Sequence, residues 1–185
     1  MAHRTRDELG AALAHALAAP ADAGTLTMLV RRPAVDEREV LAEGRLCFAD
    51  GLEGDNWNRR ASARTDDGSP HPDMQLNVIS ARVSDFLSTD GDHRALCGDQ
   101  LHVDIDLTEA NLPAGTRLAI GGAVIEVTDQ PHRGCAKFAA RFGAEARRWV
   151  LDGDRSGLRL RGLNARVVQE GIVRPGDTVT VVRPR

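Results

Sequence analysis

The pattern of apolar and polar residues near the start of the chain is that of a helix. Residues 5–8, Thr-Arg-Asp-Glu, have the form of a capping box, and Leu9, Leu13 and Leu17 then recur at helical spacing. The pattern predicts an amphipathic helix over residues 6–19, with a proline directly after it that ends the helix.

Beyond that helix the apolar positions alternate with polar or small ones, which is typical of half-buried strands. Gly121-Gly122 between two such segments predicts a tight hairpin. A short helix is predicted from about Ser80, and the polar segment Arg59–Asp73 is predicted to be a long loop. The predicted strands are Leu26–Val30, Val40–Phe48, Gln75–Ile79, Arg117–Ile120, Ala123–Val127, Leu163–Val168 and Thr178–Val182.

Many short strands, little sign of parallel βαβ units and a few peripheral helices predict a mainly β fold, an antiparallel β-barrel or closed sheet with a few peripheral α-helices. We interpret residues 1–24 as a helical extension that packs on the same domain. Residues 25–185 then form the barrel domain, since no linker or repeat divides them.

The composition narrows the environment and the partners. A net charge of −3 gives no general attraction to nucleic acid or to anionic membranes, so a bound anion must be held by local positive charge. Neither a signal-peptide pattern nor a membrane-length apolar segment is present, which predicts a cytoplasmic protein with no membrane partner. Three scattered cysteines leave at least one thiol free, as is usual in a reducing compartment.

Cys135 is the most informative residue of the chain. It lies between the predicted strand Ala123–Val127 and a helix-like segment, with cationic Arg133 and Lys137 nearby. Both the helix start and the cations favour thiolate, the form that attacks, carries sulfur or binds a soft metal. The alternative is a small buried core residue, which is the interpretation we prefer for Cys47 and Cys97.

His132 is a second candidate for chemistry, because an imidazole titrates near neutral pH and can donate or accept a proton beside the thiol. It could equally fix the loop by hydrogen bonding. His132 and Cys135 have the spacing of half a zinc site, but no second Cys/His pair follows, so structural zinc is not expected.

Six short motifs occur in a fixed order over about residues 25–182, and together they resemble the MOSC domain, named for the C-terminal part of molybdenum cofactor sulfurases. They are Gly51-Leu52-Glu53-Gly54-Asp55, Asn77-Val78-Ile79-Ser80, Gly98-Asp99-Gln100-Leu101, Asn111-Leu112-Pro113-Ala114-Gly115, Gly134-Cys135-Ala136-Lys137 and Arg161-Gly162-Leu163-Asn164-Ala165-Arg166-Val167.

The resemblance implies a MOSC-like β-barrel that handles the molybdenum cofactor or activated sulfur. Cys135 then carries a persulfide or binds molybdenum through its sulfur, so the protein is a sulfurtransferase, or a component of a molybdenum-dependent reductase of N-hydroxylated compounds. A non-catalytic module that binds the cofactor or a partner is the alternative. Lys137 is the only lysine, so no covalent pyridoxal phosphate is expected here, and a sulfur donor such as a cysteine desulfurase must be a separate protein.

A molybdenum-pterin cofactor has a soft metal end, which suits a thiolate, and a phosphate end, which suits arginine forks or helix N–H groups. Arg161 and Arg166 could instead be solvated or ion-paired, Asp55 and Asn56 could simply form a turn, and Trp57 is either a core anchor or a wall of the pocket. The candidate cofactor-binding residues are Asp55, Asn56, Arg133, Gly134, Lys137, Arg161, Asn164 and Arg166, with Cys135 as the metal ligand and Cys135 and His132 as the catalytic pair.

Overall fold

The computed structural model describes residues 3–88, 92–133 and 136–183. Two predicted site residues, Gly134 and Cys135, lie outside the described residues. The helices are α1 (Arg6–Leu17), α2 (Ala81–Leu87), α3 (Ala136–Phe142) and α4 (Ala144–Val150). The strands are β1 (Ala23–Arg31), β2 (Glu39–Leu41), β3 (Gly44–Cys47), β4 (Gly51–Leu52), β5 (Leu76–Ser80), β6 (Leu101–Asp104), β7 (Arg117–Ile120), β8 (Ala123–Val127), β9 (Leu163–Gln169), β10 (Gly171–Val173) and β11 (Thr178–Val182).

Seven strands close into a barrel in the order β1, β11, β7, β8, β9, β5, β6 and back to β1. The closing pair is antiparallel, with Gly24 opposite Val179. Only β5 and β6 run parallel among the neighbours in this ring. A parallel pair needs a crossover connection, and α2 supplies part of it. The prediction of a mainly antiparallel β-barrel with a few helices is therefore confirmed.

The barrel interior is filled by the alternating apolar positions of the strands. In the predicted hairpin, Leu118 and Ile120 of β7 and Ala123, Ile125 and Val127 of β8 are each at most 1% exposed. Their intervening neighbours are exposed or half-buried, as the two-residue period of a strand requires. The hairpin is thus formed as predicted, with Ile120 opposite Ala123.

The prediction of one strand over Val40–Phe48 is wrong. The segment contains two strands because its halves pair with different partners: β2 extends the barrel beside β1, whereas β3 joins β10 and β4 in a separate three-stranded sheet. Gly44 begins β3 at a crowded point, since an added Cβ there would lie 2.8 Å from side-chain atoms of Leu29 and Leu52. The alternation of side chains within one segment does not indicate which strands it pairs with, so this change of partner could not be predicted from it.

The helices pack together around a second apolar cluster. Leu9 of α1, Leu87 of α2, Phe138 and Phe142 of α3 and Trp149 of α4 all belong to it. The capping box of α1 forms as predicted, and the helix ends at Leu17, two residues before the predicted end. In the ranges given above, no helix combines the length and the apolar character needed to cross a membrane.

His102 gives the barrel a specific sensitivity to acid. It lies on β6 and is 1% exposed, with Nδ1 2.9 Å from the Ser84 hydroxyl and Nε2 buried without a hydrogen-bond partner. Burial, together with the charges of Arg94 and Arg161, lowers the pKa of His102 to about 3. Between about pH 6.5 and about pH 3, His102 is therefore protonated in the unfolded chain and neutral in the folded chain.

We predict that stability is greatest above pH 6.5 and falls as the pH drops through this window, by about 1.4 kcal/mol per pH unit for this histidine. His102→Asn removes the titrating ring while keeping a donor near Ser84, so the slope of the unfolding free energy between about pH 6 and pH 5 should decrease by about that amount. Urea unfolding measures it, with the exposed His15→Asn as control. An unchanged slope in His102→Asn contradicts the assignment.

Candidate functional site

A cavity of about 450 Å³, the first cavity, lies between the segment after β1, the loop that leads from β4 to β5, the segment 131–133 and α3. This volume lies in the range of small-molecule sites. The predicted loop Arg59–Asp73 is largely irregular, and Arg60, Ser62 and Arg64 from it line the cavity. The side chain of Arg64 donates to Gln130 Oε1 at 3.0 Å, which joins the loop to the segment that precedes Cys135.

The lining of the first cavity is strongly cationic. Among its described residues Asp36 supplies the sole carboxylate. The cationic residues are Arg32, Arg38, Arg60, Arg64, Arg133, Lys137, Arg141 and Arg161. Like charges gathered in a partly enclosed space repel one another, so such a lining suits an anionic ligand.

Arg32 is held beneath the cavity by a carboxylate that is itself buried. Its Nε and Nη2 donate to the two carboxylate oxygens of Asp55 at 2.9 Å each, in the fork geometry that arginine favours. Its Nη1 donates to Asn77 Oδ1 at 2.8 Å and to the carbonyl of Gly98 at 2.9 Å. Arg32 is 4% exposed and Asp55 2%, so the pair is a fixed part of the wall.

Arg161 is held in a similar way to Arg32, by a buried carboxylate and a backbone carbonyl. Its Nη1 lies 2.9 and 2.8 Å from the two oxygens of Asp99, its Nη2 donates to the Cys97 carbonyl at 3.0 Å, and its guanidinium lies 4.9 Å from the ring centre of Phe138. Asp99 is fully buried. Burial raises the pKa of Asp99, and the charge of Arg161 opposes that rise. Gly162 follows at φ +95°, where an added Cβ would lie 2.1 Å from the Val78 carbonyl oxygen.

His132 faces this ion pair. Its Nδ1 lies 3.4 Å from Asp99 Oδ1 without a hydrogen bond, and its side chain is 8% exposed. Burial lowers the pKa of His132 well below its usual value, and the charges of Arg161 and Arg32 lower it further. The neutral imidazole is therefore favoured, and its unprotonated nitrogen can accept a hydrogen bond at the cavity wall.

Arg38 is a half-buried cation of the first cavity that has no ion pair among the described residues. Its Nη1 donates to the Glu37 carbonyl, and its Nε is buried without a hydrogen-bond partner. Burial lowers the pKa of Arg38, and the charges of Arg141 and Arg32 lower it further. The nearby Asp36 pairs with Lys137 at 2.8 Å and with Arg141 at 2.9 Å instead. No described carboxylate lies within 4.0 Å of Arg38.

A family model for the MOSC domain matches residues 68–180, which is more than half of the chain. The chain belongs to the MOSC domain family. Solved structures agree on the MOSC fold. The YuaD protein from Bacillus subtilis has a TM-score of 0.65 at 16% identity, covering 88% of this chain and 97% of that one. YiiM from Escherichia coli has a TM-score of 0.54 at 19% identity, covering 87% and 71%. YiiM from Geobacillus stearothermophilus has 0.52 at 15%, covering 88% and 74%.

These identities are low enough that the structural likeness speaks for the fold alone. No curated protein sequence matches the chain. The chemistry of this MOSC protein must therefore be argued from its own side chains.

The MOSC fold brings five of the eight described candidate residues to the first cavity. Those that line it are Asn56, His132, Arg133, Lys137 and Arg161. The Asn56 side-chain oxygen is buried without a hydrogen-bond partner. Trp57 lines the cavity too, which favours the pocket wall over the core anchor. Cys135 lies outside the described residues, between Arg133 and Lys137 in the sequence, and both of these line the cavity.

Three other predicted residues lie off the cavity surface. Asp55 is beneath it, bound to Arg32. Asn164 is fully buried behind Asn77, whose Nδ2 lies 2.6 Å from Asn164 Oδ1. Arg166 lies apart on β9, and its half-exposed side chain pairs with Asp73 at 3.0 Å and with Glu126 at 2.7 Å. Asn164 also donates to the carbonyl of Gln130 at 3.1 Å and so anchors the segment before Cys135.

Sequence reasoning missed Arg32, Arg38 and Asp99 as site residues. Asp99 lies within the motif Gly98-Asp99-Gln100-Leu101, and this motif was the signal available in the sequence. Arg32 and Arg38 follow a predicted strand without any motif, and Arg32 meets Asp55 across 23 positions of the chain.

We predict that the buried Arg161–Asp99 ion pair contributes to the stability of the folded chain. Asp99→Asn leaves a guanidinium buried without its counter-charge, so the free energy of unfolding should fall by about 3–5 kcal/mol, measured by urea unfolding. Removing the cation as well, in Asp99→Asn with Arg161→Met, should restore much of the loss.

Asp85→Asn is the control for this prediction, because Asp85 pairs with Arg94 through a half-exposed side chain and its loss should cost less than about 1 kcal/mol. Equal costs at positions 85 and 99 would show that Asp99 does not compensate a buried charge.

Proposed function

We propose that this MOSC protein binds the molybdenum cofactor in the first cavity, with the Cys135 thiolate as the protein ligand to the metal. The observation that carries the proposal is the uncompensated positive charge of the lining, and above all Arg38, which is half-buried without a carboxylate partner in the described chain. A phosphorylated ligand supplies the missing negative charge.

The anionic end of the ligand is assigned to Arg38. Arginine binds phosphate through a planar fork of N–H donors, and the partly buried setting strengthens such contacts relative to water. Arg32 and Arg161 are committed to Asp55 and Asp99, so they fix the cavity wall and leave Arg38 to bind the ligand. Arg133, which is exposed and has no ion pair among the described residues, is a second cation at the rim.

The metal end is assigned to Cys135. Thiolate is a soft ligand suited to such a metal, and cationic neighbours lower the pKa of a thiol. The bound cofactor supplies two-electron redox chemistry at its metal. Neutral His132 accepts a hydrogen bond from a substrate at the wall, and the gathered arginines exclude cations from the cavity.

A persulfide on Cys135 is the second candidate function, since a thiolate beside Arg133 and Lys137 also suits sulfur transfer. Two cations near the thiol are sufficient for a persulfide carrier, whereas the first cavity has eight described cationic lining residues, more than that function requires. The charge of the first cavity therefore favours cofactor binding over sulfur transfer.

The proposal is tested by measuring the molybdenum and pterin bound to protein purified from a molybdenum-replete host. We expect molybdenum and pterin together in the native chain, a loss of most of the metal in Cys135→Ser, and at least a tenfold loss of both in Arg38→Ala, because a charge-assisted contact is worth about 1.5–3 kcal/mol. Elemental analysis measures the metal and fluorescence of the oxidised pterin measures the rest.

Two matched controls accompany these variants. Cys47→Ser removes a buried thiol of the described chain, and Arg117→Ala removes a half-exposed arginine on β7 that pairs with Glu126. Both variants should bind as much molybdenum and pterin as the native chain. Mass spectrometry separates the alternatives: an added mass of about 32 Da on Cys135 without metal or pterin indicates a sulfur carrier. Protein with neither ligand nor adduct indicates an interaction module.

A further inference from the structure

A second cavity, of about 420 Å³, lies on the other side of the segment that leads to Cys135. Pro131, His132, Arg133 and Arg161 line both cavities, so they form the wall between them. The second cavity also has the volume of a small-molecule site.

The second cavity combines an apolar surface with opposite charges. Val150, Leu151 and Leu163 contribute apolar side chains that are buried or half-buried. The half-buried Arg159 and the exposed Glu109 line the same cavity, together with the exposed Asp129 and Arg133 and the ion-paired Arg161. The attraction of Glu109 opposes the lowering of the Arg159 pKa by burial, yet the two groups form no ion pair within 4.0 Å.

Arg159 adopts an unusual backbone conformation. It has φ 48° and ψ 43°, the left-handed region that costs a non-glycine residue roughly 1 kcal/mol or more. Its side chain is half-buried and donates through Nη1 to the Leu112 carbonyl at 2.6 Å. The remaining N–H groups have no described hydrogen-bond acceptor. A strained residue that brings a desolvated cation to a cavity is a candidate for ligand binding.

We propose that the second cavity binds a small zwitterion of the amino-acid class. Its carboxylate pairs with Arg159, its ammonium group pairs with Glu109, and its apolar side chain packs on Val150, Leu151 and Leu163. A zwitterion compensates both charges at once, whereas a simple anion or cation leaves one of them uncompensated. None of these five residues lines the first cavity, so the inference stands independently of the proposed cofactor.

The proposed zwitterion site lies directly beside the first cavity. A ligand in the second cavity touches the same wall, formed by His132 and Arg161, that faces the first cavity. The zwitterion would thus lie one residue layer from the position proposed for the cofactor.

The experiment compares leucine with N-acetyl-leucine and leucinamide, by methyl NMR of Val150, Leu151 and Leu163 in the full chain. We expect millimolar leucine to shift these resonances, and each blocked compound to bind at least tenfold more weakly, since each lacks one charge-assisted contact. Equal binding of N-acetyl-leucine overturns the zwitterion assignment. The absence of any leucine-induced shift overturns the site.

Arg159→Gly is the decisive variant, because glycine adopts φ near +48° without strain, and this gain offsets the loss of the Arg159 hydrogen bond to the Leu112 carbonyl. It should keep a melting temperature close to the native one and weaken leucine binding at least tenfold. Glu109→Gln should weaken leucine binding while leaving that of N-acetyl-leucine unchanged. Arg117→Ala is the control. Native affinity in Arg159→Gly contradicts the proposal.

Discussion

The burial of guanidinium groups against carboxylates is the interaction on which the rest of this site depends. A charge removed from water is costly unless a partner of opposite sign and good geometry is buried with it. Asp55 and Asp99 provide that partner for Arg32 and Arg161, and both carboxylates are at most 2% exposed. One pair joins the segments that follow β1 and β4, and the other joins the segments that precede β6 and β9, so the cationic wall is held in place before any ligand binds.

This fixed wall leaves the cations that are not compensated to act on a ligand. Arg38 is half-buried yet lacks a carboxylate partner in the part of the chain that the structure describes. Asp36 and Asp55 attract Arg38 only from beyond ion-pair distance, whereas Arg141 and Arg32 repel it. A half-buried cation without a close carboxylate supports the proposed ligand site, and Arg159 in the second cavity is another such cation.

Local patterns were sufficient to predict the elements whose neighbours lie close in sequence. The capping box gave α1, and the two glycines after Ile120 gave the β7–β8 hairpin. The division of Val40–Phe48 between two sheets depends on distant partners, and no local period encodes a partner. The same is true of the site. Arg161 and Asp99 are 62 positions apart, and only the closed barrel brings them together.

In the proposed complex, the positive cavity holds a phosphorylated cofactor whose metal is bound by Cys135. Anomalous diffraction at the molybdenum edge, on crystals of protein purified from a molybdenum-replete host, would locate the metal. We expect one strong anomalous peak at bonding distance from the Cys135 sulfur, with the anionic end of the ligand against Arg38. A stoichiometric molybdenum peak away from Cys135, or a first cavity that contains only water, would contradict this proposal.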